Sequence, residues 1–249
     1  MFSKKRKILF WIYISILSLI YLYLKFKGPL VVEYLYFNEQ TEFLNTLVQI
    51  PAAAEYPLGF YVGRINDVVL GPACSVIASL IFIPICLLYF KTEKKGQTPF
   101  FLAVFLFLLL TKSEVLFYPV YGDPSTGPWI EGIWLKQNHF DYVGLFHQPE
   151  YSIGGPKNEF FNIHGGYFAL MLTLIPWPKI FLLVHHLLYF FYSALIVAIF
   201  RYFFLQIGAS SGVSILSSLI LLSLPLYQSM TEILNLEIPC LFFTMLSFC

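Results

Sequence analysis

Apolar residues run along this chain in long stretches separated by short clusters of charge. Ile8–Leu24 is one such stretch, set behind Lys4-Lys5-Arg6-Lys7 and closed by Lys25-Phe26-Lys27. Crossing the hydrocarbon of a bilayer takes about 20 apolar residues in a helix. By that measure the pattern predicts membrane helices at 8–24, 68–90, 99–118, 180–200, 213–227 and 233–249. Pro72 and Pro84 fall inside the second, where a membrane helix tolerates them. Residues 167–177 are apolar but too few to span comfortably, and Pro176-Trp177-Pro178 closes them, so they read as an interfacial helix. The expected fold is all-α: a polytopic transmembrane protein, one multi-pass domain of about six membrane helices. Loops at 25–67 and 119–166 lie on its outer side, with short interfacial helices in them. The chain stops at Cys249 within an apolar run, which reads as a longer polytopic protein cut short.

Charge sets the orientation. Segments 1–7, 91–98 and 201–212 hold eight of the 15 Lys and Arg in 27 residues. Basic residues in short loops mark the cytoplasmic side. The N-terminus is therefore expected in the cytoplasm and segment 119–166 outside, in an integral multi-pass protein of a bacterial cell membrane or its equivalent. No small-x-small cleavage site closely follows the first apolar run, so that run is expected to stay as a signal anchor. Lys112 and Glu114 fall near the outer end of the third helix, placed to pair or snorkel.

Composition narrows the class further. Only 12% of residues are charged, against about a quarter in a soluble domain. The net charge of +1 comes without a basic patch interleaved with aromatics, so no nucleic-acid partner is expected. Cys74, Cys86, Cys240 and Cys249 lie in or beside apolar runs without metal-ligand spacing, and read as small buried hydrophobes. His185-His186 sits mid-helix, where ionisable groups suggest function. Adjacent residues point about 100° apart on a helix, so the two imidazoles cannot share a metal without a partner helix, and helix-to-helix hydrogen bonding is the simpler role.

The polar exception is the run from Pro119 to Gly166. It sets Asp123, Glu131 and Asp141 among Trp129, Trp134, His139, Tyr142 and His147. Long loops of this kind tend to carry function. Asp123 lies in a turn between Gly122 and Pro124. Pro128 starts a helical pattern in which Glu131 and Trp134, three apart, share a face. A carboxylate held beside a bilayer acts as a general base once an acceptor hydroxyl comes within hydrogen-bond reach. Solvated turns and caps are the plainer reading of the same acids.

The order of these parts resembles the N-terminal third of the C-type-fold glycosyltransferases, in particular the protein O-mannosyltransferase and lipid A aminoarabinose transferase group. The residues that carry the resemblance are Asp123 with Glu131-Gly-Ile-Trp134-Leu135, Asn162-Ile-His164-Gly165-Gly166, Leu224-Pro225-Leu226, and Glu232 to Pro239. The match departs where the family has an adjacent Asp-Glu pair, here Ile130-Glu131, and a His-Pro-Pro-Leu, here His164-Gly-Gly-Tyr167. The resemblance implies a polyprenyl-phosphate sugar donor, taken from the lipid bilayer and used on the outer face. It implies catalytic roles for Asp123 and then Glu131, with Trp134, Asp141, His164 and Glu237 at the substrate. The leaving phosphate then needs a cation, from Lys136, Lys157, the missing half of the fold or a divalent metal. A different class remains open at this point: a non-catalytic polytopic protein such as a lipid or polysaccharide transporter subunit, or an inactive fragment.

Overall fold

In the computed structural model every described element is helical. The structure describes residues 4–49, 51, 56–90, 96–117, 128–141, 165–175, 178–232 and 236–248. Three helices are long and apolar enough to cross a membrane, at Lys7–Phe37, Gly71–Phe90 and Ile180–Gln206. Gln97–Thr111, Ser211–Ser223 and Glu237–Ser247 are apolar but shorter. The chain packs as two units, residues 1–93 with 219–225, and residues 94–218 with 226–249.

The first unit is built on α1 (Lys4–Phe37), 34 residues or about 51 Å long. The charges at Lys25 and Lys27 end the hydropathic run but not the helix, because lysine is a good helix former. Segment 25–67, expected as a loop, is therefore largely helical: the end of α1, α2 (Thr41–Leu47) and α3 (Leu58–Ile65). One face of α1 carries the buried Ile14, Gly28 and Val32. A Cβ on Gly28 would meet Leu70 Cδ1 at 2.8 Å, so glycine is what lets the two segments approach. Val32, Leu44, Val48, Tyr61 and Ile65 close a small core around this end. The Tyr61 hydroxyl donates to Asn45 Oδ1 at 2.6 Å inside it, which settles two buried polar groups at once.

A π turn at Asn66–Leu70 joins α3 to α4 (Gly71–Phe90). The Gly71 N–H bonds to the Asn66 carbonyl, five residues back. That carbonyl lies 2.8 Å from where a Cβ on residue 71 would be, so the turn needs the glycine.

The second unit contains α5 (Gln97–Thr111), α6 (Pro128–Gln137), α7 (Gly165–Leu174), α8 (Pro178–Gln206), most of α9 (Ser211–Ser223) and α10 (Pro225–Glu232), and α11 (Glu237–Ser247). Helix α5 stops at Thr111, and a 3₁₀ turn follows at Ser113–Phe117. Lys112 is buried at this junction rather than snorkelling. Pro225 separates α9 from α10, as expected of a residue that cannot continue the helical ladder. Helix α8 is the centre of this unit and packs along both α5 and α11. Near its end, Arg201 is buried. Its Nη1 donates to Gln97 Oε1 at 3.2 Å and its guanidinium lies over the Phe100 ring at 4.8 Å. Further back along α8, Phe191 meets Phe101 edge-on at 5.3 Å, so the two helices run antiparallel.

Candidate functional site

Two groups of side chains in the second unit bring polar chemistry into apolar surroundings. The first is the pair α6 and α7. Pro128 opens α6 at the position where a missing N–H costs nothing, and Glu131 sits in the first turn, where the helix dipole favours an acid. Glu131, Gly132 and Leu135 are buried on one side of α6. Across from them Ala169 of α7 is fully buried, and Trp134 packs against the Leu135–Ala169 contact. Lys136 Nζ donates to the Leu172 carbonyl at 2.7 Å, one of the last-turn carbonyls that α7 itself leaves unpaired. The result is a carboxylate, 2% exposed, held by two short helices that are pinned to each other.

The turn that leaves α6 is strained. His139 and Phe140 both have positive φ, 52° and 62°, which is unusual for a bulky side chain. The Phe140 N–H bonds to the Leu135 carbonyl at 2.7 Å, which holds the turn closed. Asp141 follows this turn and is exposed.

The second group lies on α8. His185, Tyr189 and Tyr192 are spaced i, i+4 and i+7 and so share a face of the helix. All three are buried, His185 and Tyr189 completely. His185 Nδ1 is 3.0 Å from the Phe181 carbonyl. A carbonyl only accepts, so Nδ1 carries the proton and a neutral ring offers Nε2 as an acceptor. The Phe181 ring covers this imidazole at 4.0 Å. Tyr192 stacks on Phe242 of α11 at 4.8 Å. Helix α8 packs along α11 through this face. Burial holds the Tyr167 phenol protonated well above its ordinary range, and Tyr192 adds to the effect. The Tyr167 hydroxyl is itself buried, with the Tyr192 side chain as its hydrogen-bonding neighbour.

The six residues expected at a site are distributed as follows. Glu131 and Trp134 belong to the α6–α7 pair, and Glu237 is exposed at the head of α11. Asp141 stands exposed beyond the strained turn, and Asp123 and His164 lie outside the described residues. Among the described residues no group of three His, Cys, Asp or Glu is placed to hold a metal ion. Sequence reasoning missed Tyr167, Tyr189 and Tyr192. The signal was the i, i+4, i+7 spacing that extends from His185. No protein-family model matches the chain, and comparison with curated proteins and with solved structures finds no match.

Proposed function

We propose that this chain is a membrane glycosyltransferase, or the N-terminal part of one, that moves a sugar from a polyprenyl-phosphate carrier to an acceptor on the extracytoplasmic side. The observation that carries the reading is Glu131, a carboxylate buried between two short helices in the segment expected outside the membrane. Burial fixes the side chain, and a fixed carboxylate is what aligns or deprotonates an acceptor hydroxyl. Asp123 is proposed as its partner in the same segment, with Trp134, Asp141, His164 and Glu237 at the substrate. The polyprenyl tail would lie among the apolar helices. Lys136 is engaged with the Leu172 carbonyl, which makes it a structural cation first. The leaving phosphate would then draw its counter-charge from elsewhere, a divalent metal included.

The multi-pass topology belongs to the same proposal. Helix α5 would run outward and α8 inward, which agrees with their antiparallel packing; α11 would run inward. The cytoplasmic assignment of the N-terminus draws on segments 1–7, 91–98 and 201–212, where eight Lys and Arg are concentrated.

The deciding experiment is Glu131→Gln in the full chain, reconstituted in vesicles with a polyprenyl-phosphate hexose. General acid–base contributions are about 10²–10⁴-fold, so turnover should fall by at least about 100-fold while the protein still inserts. Unchanged turnover removes Glu131 from the mechanism. A second reading, a lipid or polysaccharide transporter subunit, draws on the buried His185–Tyr192 stripe, because transporters place their ligands within the span. Sugar release from the carrier separates the two: a transporter moves the glycolipid intact.

A further inference from the structure

Helix α1 carries an open groove along its first turns. Its walls are two neighbouring rows with a four-residue step: Lys7, Trp11, Ser15 and Leu19 in one, Ile8, Ile12 and Ile16 in the other. Side chains four apart stack into ridges along a helix, and the channel between two such ridges receives whatever packs there. Ser15, the smallest of the seven, lowers one ridge between Trp11 and Leu19, and the groove measures about 460 Å³. All seven residues are exposed, so nothing among the described residues covers them. From Lys7 to Leu19 the axis advances about 18 Å, slightly more than half of a hydrocarbon core about 30 Å thick. The groove is as long as one leaflet is deep.

Its two ends differ in chemistry. At one end the sequence sets Lys4-Lys5-Arg6-Lys7 within a single turn, and no Asp or Glu precedes Glu33. Trp11 comes one turn later, an amphipathic ring of the kind that settles at the headgroup boundary. The other end is hydrocarbon. A phospholipid has the same order along its length: charged head, polar boundary, acyl chain. Positive charge selects an anionic head, since each Lys or Arg near the surface strengthens that attraction by about fivefold. A second copy of the chain fits less well, because two copies inserted the same way up would set basic cluster against basic cluster. We propose that the basic end of α1 holds one anionic phospholipid, its phosphate drawn to residues 4–7 and an acyl chain lying along the groove towards Leu19. This lipid is distinct from the sugar donor, which is proposed to react on the opposite face, and its binding does not depend on sugar transfer.

Native mass spectrometry of the full chain tests this. Released from nanodiscs of equal parts phosphatidylglycerol and phosphatidylcholine with matched acyl chains, the protein reports both its retained lipids and its number of copies. The unmutated chain should retain one phosphatidylglycerol, favoured about tenfold over phosphatidylcholine. Lys4→Gln, Lys5→Gln, Arg6→Gln and Lys7→Gln together should cut that preference to about twofold or less. Both faces of a nanodisc carry the same lipids, so a variant that inserts the other way round is still read correctly. Ser15→Phe fills the groove and keeps every charge. It should lower retention of both lipids about threefold through lost packing contacts and leave the preference in place. Equal retention of the two lipids by the unmutated chain overturns the proposal. Full retention in Ser15→Phe also overturns it, because charge would then act without the groove. Recovery of paired chains without lipid overturns it as well, by putting a second copy in the lipid's place.

Discussion

Helices α1 and α8 are both long and apolar enough to cross a bilayer, yet they meet their surroundings in opposite ways. In the most apolar stretch of α1 only 6% of residues are buried; in that of α8 the share is 56%. The exposed side of α1 is a continuous stripe through Leu19, Tyr23, Phe26, Leu30, Tyr34 and Phe37. Helix α8 buries His185, Tyr189, Ser193 and Arg201 against its neighbours. Lipid tails are as apolar as leucine, so a span facing lipid gains nothing from being protein-covered and needs no polar glue. A span in the middle of a bundle holds its neighbours by close packing and by hydrogen bonds between helices. Hydropathy therefore marks both as long and apolar enough to cross a membrane, and the placement of polar side chains tells which one is packed within its own unit.

The sharpest way to break the comparison is to remove a large side chain from each helix. Tyr189→Ala in α8 empties a site with no exposed surface and should cost about 3–5 kcal/mol, as deletions of buried aromatics do. The measurement is reversible unfolding in mixed micelles. A cost below about 1 kcal/mol would show that α8 is not packed as described. Next in size is Gln97→Ala on α5, which takes the amide acceptor from the buried Arg201. Hydrogen bonds to charged groups contribute about 1.5–3 kcal/mol, so a loss of about 2 kcal/mol is expected in the same assay. Gln97→Glu provides the control, because it restores an acceptor and should recover most of the loss.

Much of this architecture was legible in the sequence, for reasons that differ from element to element. The runs beginning at Ile8 and Ile180 are visible because lipid-facing and bundle-facing spans are both apolar all round. The break at Leu224–Pro225 is visible because proline has no N–H to continue the ladder. The extension of α1 to Phe37 was not, since hydropathy registers Lys25 and Lys27 as an end whereas the backbone does not. The π turn at Asn66–Leu70 depends on a one-residue shift in hydrogen bonding that no residue type announces, with Gly71 as the only trace. At the candidate site, Pro128 and the three-residue spacing of Glu131 and Trp134 marked a helix, but the burial of Glu131 depends on α7, which arrives 28 residues after α6 ends. The stacking of Tyr192 on Phe242 draws on two helices, and only its α8 component follows a spacing that a single helix displays.

The smallest expected effect is the most specific test of the contrast. Phe26 is 68% exposed on the open stripe of α1, two residues from Gly28 on the packed face. If that stripe meets lipid, acyl chains fill the space that a truncated side chain leaves, and no cavity forms. Phe26→Ala should then change stability by no more than about 0.5 kcal/mol, as for a surface position. Gly28→Val, on the same turn, would drive a branched side chain into Leu70 and should cost about 1–3 kcal/mol through overpacking. A large loss at Phe26 would mean that protein rather than lipid covers this part of the stripe, and α1 would then share the role that α8 holds alone.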